Sequence, residues 1–86
     1  MGAGALAKGF HEDRYRALIE LLAAERRRLG LNQQELADRL GQRQQFVSRY
    51  ELGERRLDVI EFIDVAAALG LSTNALIADV EPRAKS

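Results

Sequence analysis

Residues 32–53, NQQELADRLGQRQQFVSRYELG, contain two short helical patterns separated by one glycine. Asn32 can accept hydrogen bonds from the first backbone amides of the first helix, and Glu35 follows three residues later, which is the spacing of a capping box. Gly41 can end that helix with a positive φ, and the small Ala37 lies four residues before it. Because two short helices cross closely only where the side chain at the contact is small, this stretch predicts a helix-turn-helix.

The sequence on either side predicts three further helices and no strand, which gives an all-α fold of five helices. Apolar residues recur at helical spacing throughout, and no alternating strand pattern occurs. A second capping pair, Asp58 with Glu61, marks the start of the fourth helix. The predicted helices are Asp13–Leu29, Asn32–Leu40, Gln44–Leu52, a helix from Asp58, and a helix from Ser72 or Thr73.

The apolar positions of these helices predict a single hydrophobic core. Tyr50 lies one turn from Val47 and is expected to be buried with it, whereas Phe46 falls near the edge of the contact with the first helix. Further apolar residues of the fourth helix, Ile60 and Ile63 among them, either pack beneath the first helix or form a dimer interface. The other expected core positions are Tyr15, Leu18, Ile19, Leu22, Leu29, Leu36, Leu40, Val59, Phe62, Ala66, Leu69, Leu76 and Ile77.

The composition is that of a globular protein with one small core. The chain has 86 residues, 47% hydrophobic and 30% charged, and no cysteine, which excludes disulfides and thiolate metal sites. No apolar run approaches the ~18–20 residues of a membrane span, and a cytoplasmic location is expected. We expect a flexible tail over residues 1–12, one domain over residues 13–80 and a second tail over residues 81–86.

Charge is distributed unevenly along the chain, although the net charge is zero. Residues 26–56 hold eight arginines against four acids, whereas residues 57–82 hold five acids and no base. A cationic face of this kind is what a nucleic acid requires. A few solvated arginines on helix surfaces would give the same counts, so charge alone leaves both interpretations open.

The predicted outer face of the third helix carries side chains suited to the edges of DNA bases. Four polar residues share this face: Gln44, Gln45, Ser48 and Arg49. Glutamine can pair with adenine, and arginine with guanine, in the major groove. A solvated face in a generic protein more often carries Glu and Lys, but this one has no acid before Glu51. The pattern therefore favours base readout.

Two stretches resemble the phage repressor/Cro (XRE-type) helix-turn-helix family: LGLNQQELADRLG (residues 29–41) and VSRYELGERRLDVIEFIDVAAALGLS (residues 47–72). The likeness extends from about Arg14 to Val80. It implies a compact five-helix, lambda-repressor-like domain whose third helix enters the major groove of double-stranded DNA.

The resemblance also implies roles for individual residues. Gln44 matches a glutamine that reads a base edge, and Gln45 and Arg49 match positions that face bases or the DNA backbone. Arg26 and Glu51 match a family pair that links the first helix to the end of the third, and we expect a partly buried ion pair there. The residues that the resemblance places at phosphates are Gln33, Arg55 and Arg56.

The sequence departs from the family in and beside the turn. Arg43 stands where a serine or threonine usually caps the third helix, so the first amides of that helix lack a protein acceptor. We expect a DNA phosphate to accept from these amides, with the Arg43 charge beside it. Gln42 replaces an apolar turn residue, and Leu52 replaces a polar residue near the DNA backbone.

No catalytic arrangement is recognisable in the sequence. His11 is the only histidine and precedes the first helix, no Ser/His/Asp or Cys/His set exists, and no glycine-rich phosphate loop occurs. We therefore expect no enzyme activity, metal, cofactor or small-molecule ligand.

The function expected from these features is regulation of transcription, by repression, through an inverted-repeat operator that the protein binds as a homodimer. Two alternatives stay open. In the first, the fold binds a protein partner such as a toxin and not DNA, which the zero net charge and the apolar fourth helix favour. In the second, an antitoxin-like repressor binds both.

Overall fold

A computed structural model describes residues 3–81, with side chains from residue 12 onward. The described range contains five helices and no strand, which confirms the predicted all-α fold. Helix α1 packs against α3 and α5, α2 packs against α3 and α4, and α4 packs against α5. The helices are α1 (Ala3–Arg28), α2 (Gln33–Leu40), α3 (Gln44–Leu52), α4 (Val59–Ala68) and α5 (Thr73–Val80).

Side-chain caps determine where α2 and α4 begin. The Asn32 side chain accepts from the Glu35 amide at 2.8 Å, and the Glu35 carboxylate accepts from the Asn32 amide at 2.8 Å. Asp58 and Glu61 form the same reciprocal pair before α4, at 2.7 and 3.0 Å. Both predicted capping boxes are confirmed. Gly41 ends α2 with φ 66°, in the left-handed region that glycine adopts without strain.

The core lies between α1, the helix-turn-helix of α2 and α3, and the inner sides of α4 and α5. Tyr50 and Val47 are fully buried, as predicted, and Ala37 is fully buried at the contact between α2 and α3. Phe46 is half-buried and meets Tyr50 edge to face, with ring centroids 5.5 Å apart. The buried cluster consists of Ile19, Leu22, Leu36, Ala37, Val47, Tyr50, Val65, Ala66, Leu69 and Leu76.

Four expectations about α1, α4 and α5 were wrong. Helix α1 begins at Ala3 and not at Asp13; its first turns contain three alanines and a leucine, which favour a helix, beside two glycines, which do not. Leu29 lies beyond the end of α1 and is 40% exposed. Val59 is 71% exposed because the inner face of α4 begins one turn later and passes through Val65. Ile77 of α5 is 44% exposed.

The expected division of the chain into tail, domain and tail stays a prediction. Helix α1 passes through most of residues 1–12, so this segment is not irregular over the part that the structure describes. Residues 82–86, which make up most of the expected second tail, lie outside the described residues, as does the His11 side chain.

Within residues 3–81, no single helix is both long and apolar enough to cross a membrane. Helices α4 and α5 reach the necessary length and composition only when taken together, and they are bent by 119° at their junction. Among the described side chains, no group of three His, Cys, Asp or Glu residues is placed to hold a metal ion.

Candidate nucleic-acid interface

A row of hydrogen bonds joins the ends of α1 and α3 to the start of α2. Arg26 donates to both carboxylate oxygens of Glu51, at 2.7 and 3.0 Å, and to the Leu31 carbonyl at 2.8 Å. Gln33 Nε2 donates to the same carboxylate at 2.9 Å, and Gln44 Nε2 donates to Gln33 Oε1 at 2.7 Å. The side chains of Arg26 and Glu51 are only 11% and 8% exposed. The one acid of α3 is therefore bound inside the helix-turn-helix.

This row also locates two of the predicted contact residues. Gln33, expected at a phosphate, lies between Glu51 and Gln44 and is bonded to both. Gln44, expected at a base edge, uses one amide N–H for this bond. A glutamine amide has two N–H donors and a carbonyl oxygen, so Gln44 keeps one donor and its acceptor for a further partner. The bond to Gln33 therefore fixes the orientation of the Gln44 side chain at the first residue of α3.

An open groove runs along the outer side of α3. Gln45 and Arg49 are exposed on it, whereas Ser48 on the same helix is half-buried. Seven residues line the groove: Gly41, Gln42, Arg43, Gln45, Phe46, Arg49 and Arg55. The structure thus brings two predicted base-reading residues together with two predicted phosphate contacts, and it places them around a surface rich in guanidinium groups.

The amino end of α3 has no side-chain cap. Arg43 occupies the cap position with φ −87° and ψ 155°, and its side chain makes no hydrogen bond to the first turn. The helices α2, α4 and α5 differ, since Asn32, Asp58 and Ser72 each cap their helix with a side-chain oxygen. The first turn of α3 therefore has no side-chain acceptor for its amides and carries a cationic side chain beside them, as expected where Arg43 replaces a capping serine or threonine.

Arg55, in the loop between α3 and α4, is held by a carboxylate. Its two terminal nitrogens donate to the two oxygens of Glu61, each at 2.8 Å. The guanidinium also lies 5.1 Å above the ring of Phe46. The hydrogen bonds from Arg55, together with the backbone hydrogen bond of the Asp58 cap, lower the pKa of Glu61 to about 2.

Arg56, the next residue, is held in the same way against α1. It donates to Glu12 Oε1, and its guanidinium lies 4.4 Å above the ring of Tyr15. The Tyr15 hydroxyl accepts from the Leu57 amide at 3.1 Å, which ties the loop backbone to α1 as well. Sequence reasoning missed both acidic partners. Glu12 is 44 residues from Arg56, and no local pattern links the two.

The comparison with known families decides which kind of protein this is. A helix-turn-helix family model matches residues 22–76, which includes all of α2, α3 and α4. The chain belongs to the XRE-type helix-turn-helix family. This XRE-type protein is also similar to a solved structure described as an XRE-family like protein from Pseudomonas syringae pv. tomato str. DC3000. The two share 46% sequence identity over 94% of this chain and 95% of that chain, with a TM-score of 0.84.

No curated protein matches the chain. Membership of the family nevertheless makes this XRE-type protein a DNA-binding helix-turn-helix regulator. Its candidate DNA contacts lie on three surfaces: the groove along α3, the uncapped end of α3 and the two loop arginines.

Proposed function

We propose that this XRE-type regulator is a transcriptional repressor that binds an inverted-repeat operator as a homodimer. Helix α3 enters the major groove of each half-site, and repression requires only that the bound protein occupy the operator. The residues that read bases are Gln44, Gln45, Ser48 and Arg49. The residues that contact phosphates are Gln33, Arg43, Arg55 and Arg56.

The observation that carries this proposal is the placement of the Glu51 carboxylate. Arg26 and Gln33 hold this carboxylate on the side of α3 that faces α1 and α2. The outer side of α3 therefore presents amides, a hydroxyl and a guanidinium but no carboxylate. These groups match the donor and acceptor patterns of adenine and guanine in the major groove. Selection of binding sites from a random DNA pool tests the proposal. We expect an inverted repeat with half-sites about one helical turn apart, roughly 34–36 Å.

The homodimer is supported by apolar side chains that the fold leaves in solvent. Ile60 and Ile63 on α4 are 65% and 43% exposed, and Val59 beside them is 71% exposed. Ile77 on α5 is also 44% exposed. One domain reads only one half-site, so a second copy related by a dyad would both cover these side chains and supply the second α3.

Ile60→Asp is expected to weaken self-association at least about tenfold, which corresponds to about 1.4 kcal/mol. The stability of the monomer should be unchanged, because Ile60 makes little contact with the core. Sedimentation equilibrium and thermal unfolding of wild type and variant measure the two effects. Leu29→Asp introduces the same charge at another exposed aliphatic residue, outside α4 and α5, and serves as the control. A wild-type protein that stays monomeric at high micromolar concentration, both free and on DNA, would rule the dimer out.

Arg56→Ala is expected to weaken binding to all DNA sequences by a similar factor. An arginine that contacts a phosphate releases a counterion on binding, so its loss should lower the slope of log affinity against log salt by about one. Titration of selected and random duplexes at several salt concentrations measures both quantities. An unchanged slope, or a loss confined to the selected site, would contradict a phosphate contact at Arg56.

A second candidate function is binding of a protein partner through the same apolar side chains of α4 and α5. The observation that favours it is the one used for the dimer, since the exposed isoleucines would suit either occupant. Titration with random duplex DNA at low and moderate salt distinguishes a DNA-binding regulator from a protein-interaction module. A protein that shows no salt-dependent DNA binding would favour the interaction module.

A further inference from the structure

Two arginines that the proposed function assigns to phosphates already bind carboxylates in the free protein. Arg55 gives both terminal nitrogens to Glu61, and Arg56 gives one to Glu12. Glu61 belongs to α4 and Glu12 to α1, so each arginine is held by a different helix. Both guanidiniums also lie over aromatic rings, which orient them without neutralising their charge.

A carboxylate and a phosphate compete for the same guanidinium. Both are anions that accept charge-assisted hydrogen bonds in the same forked geometry. The two N–H groups that Arg55 donates to Glu61 cannot be donated to DNA at the same time. A phosphate contact through these two N–H groups therefore requires that Arg55 leave Glu61. Arg56 gives one N–H to Glu12, and that donor is unavailable to DNA as long as the bond to Glu12 lasts.

We propose that Glu12 and Glu61 are internal competitors of DNA, which hold Arg56 and Arg55 in the free protein and so set the DNA affinity below the value that the loop arginines alone would give. The proposal rests on the phosphate contacts of the proposed function. It adds that two acids outside the recognition helix, and not only the contact residues, determine how tightly the protein binds.

The exposure of the four side chains allows such an exchange. Arg56 and Glu12 are 55% and 58% exposed, so they can separate without opening the core. Arg55 is 43% exposed and can turn its guanidinium from Glu61 toward solvent, whereas Glu61 is only 20% exposed. Glu61 remains ionised at neutral pH, since its pKa is held at about 2. The release of counterions from DNA favours the exchange in the bound state.

Glu12→Gln is expected to tighten binding to a random duplex by about two- to fivefold, the range that corresponds to a solvent-exposed ion pair. Glu61→Gln should act in the same direction, toward the upper end because the Arg55 contact is bidentate. Glutamine at position 61 keeps an oxygen for the Asp58 amide, so the cap of α4 is preserved. Fluorescence anisotropy at moderate salt measures the affinities, and thermal unfolding checks that the variants fold.

Two controls separate competition from a general change in charge. Glu20→Gln removes the same charge from an exposed position on α1 and should change affinity less than Glu12→Gln does. The gain from Glu12→Gln should also disappear in an Arg56→Ala background, because the acid then has no arginine to withhold. In the same way, the gain from Glu61→Gln should disappear in an Arg55→Ala background.

A gain that persists in the arginine-deleted background, or one no larger than that of Glu20→Gln, would overturn the proposal. Weaker binding by the glutamine variants would also overturn it, since the acids would then orient the arginines for DNA. Failure of the proposed function looks different: Arg55→Ala and Arg56→Ala would bind DNA as wild type does at every salt concentration.

Discussion

Glu51→Ala is expected to lower the free energy of unfolding by up to about 3–5 kcal/mol, the cost of removing one partner of an ion pair that is largely shielded from solvent. The substitution leaves the Arg26 guanidinium 11% exposed with only the Leu31 carbonyl as acceptor. It also removes the acceptor of Gln33. Because small domains have only about 5–15 kcal/mol of stability in total, this single change should bring the protein close to unfolding. Chemical denaturation followed by circular dichroism measures the loss.

Two further variants keep this prediction testable if Glu51→Ala does not fold. Glu51→Gln keeps one oxygen for Arg26 and Gln33 and should lose less stability than the alanine variant. The pair Arg26→Met and Glu51→Leu replaces both charges with apolar groups of similar length. A buried ion pair can often be replaced in this way at little cost, so the double variant should be more stable than the sum of the single losses implies. Additive losses would show that the two side chains act independently.

Residues close together in sequence made much of this fold predictable. Asn32 with Glu35, and Asp58 with Glu61, are capping pairs three residues apart, and both form as predicted. Gly41 ends α2 as expected because a left-handed residue is needed there. Local spacing succeeds in these cases because the interacting atoms belong to one helical turn.

Helix phase was harder to predict at the ends of helices than in their middles. Val59 fits the inner row of α4 by spacing alone, but it precedes the first buried turn and lies in solvent. Leu29 fits the row of α1 in the same way, but α1 has ended before it. A periodic pattern shows which positions share a face, whereas packing decides how far along the helix that face is covered.

In the candidate site, contacts between different helices and loops limited what could be predicted from the sequence. The groove along α3 could be predicted, because Val47 and Tyr50 determine which side of the helix is buried. The link from Gln33 to Gln44 could not, since it depends on how two helices cross. The same holds for the pairing of Arg56 with Glu12, which joins a loop to a distant helix. Such contacts determine which partner a polar or charged side chain already binds in the free protein, and the sequence alone does not show that partner.

The second large effect is expected from Gln44→Ala, which should relax the sequence preference at one base pair of each half-site. A good bidentate contact to a base is worth about 1–3 kcal/mol, or about 5- to 150-fold in affinity for the preferred base. Gln44 is suited to this role because Gln33 already holds one of its N–H groups, so the remaining donor and the oxygen are oriented before DNA arrives. Orientation in advance lowers the entropy cost of forming the contact.

Competition assays with operators altered at single base pairs measure this preference. The control is Gln34→Ala, because Gln34 is a neighbouring glutamine on α2 that bonds Asp38 and should leave the preference unchanged. Arg56→Ala should lower the affinity for every operator without changing their order. Gln33→Ala should leave Gln44 in place but free to turn, so it should weaken the preference at the same base pair by a smaller factor. If Gln44→Ala instead reduced binding to every operator and to random DNA equally, Gln44 would be a backbone contact and α3 would have to read bases through Gln45 and Arg49.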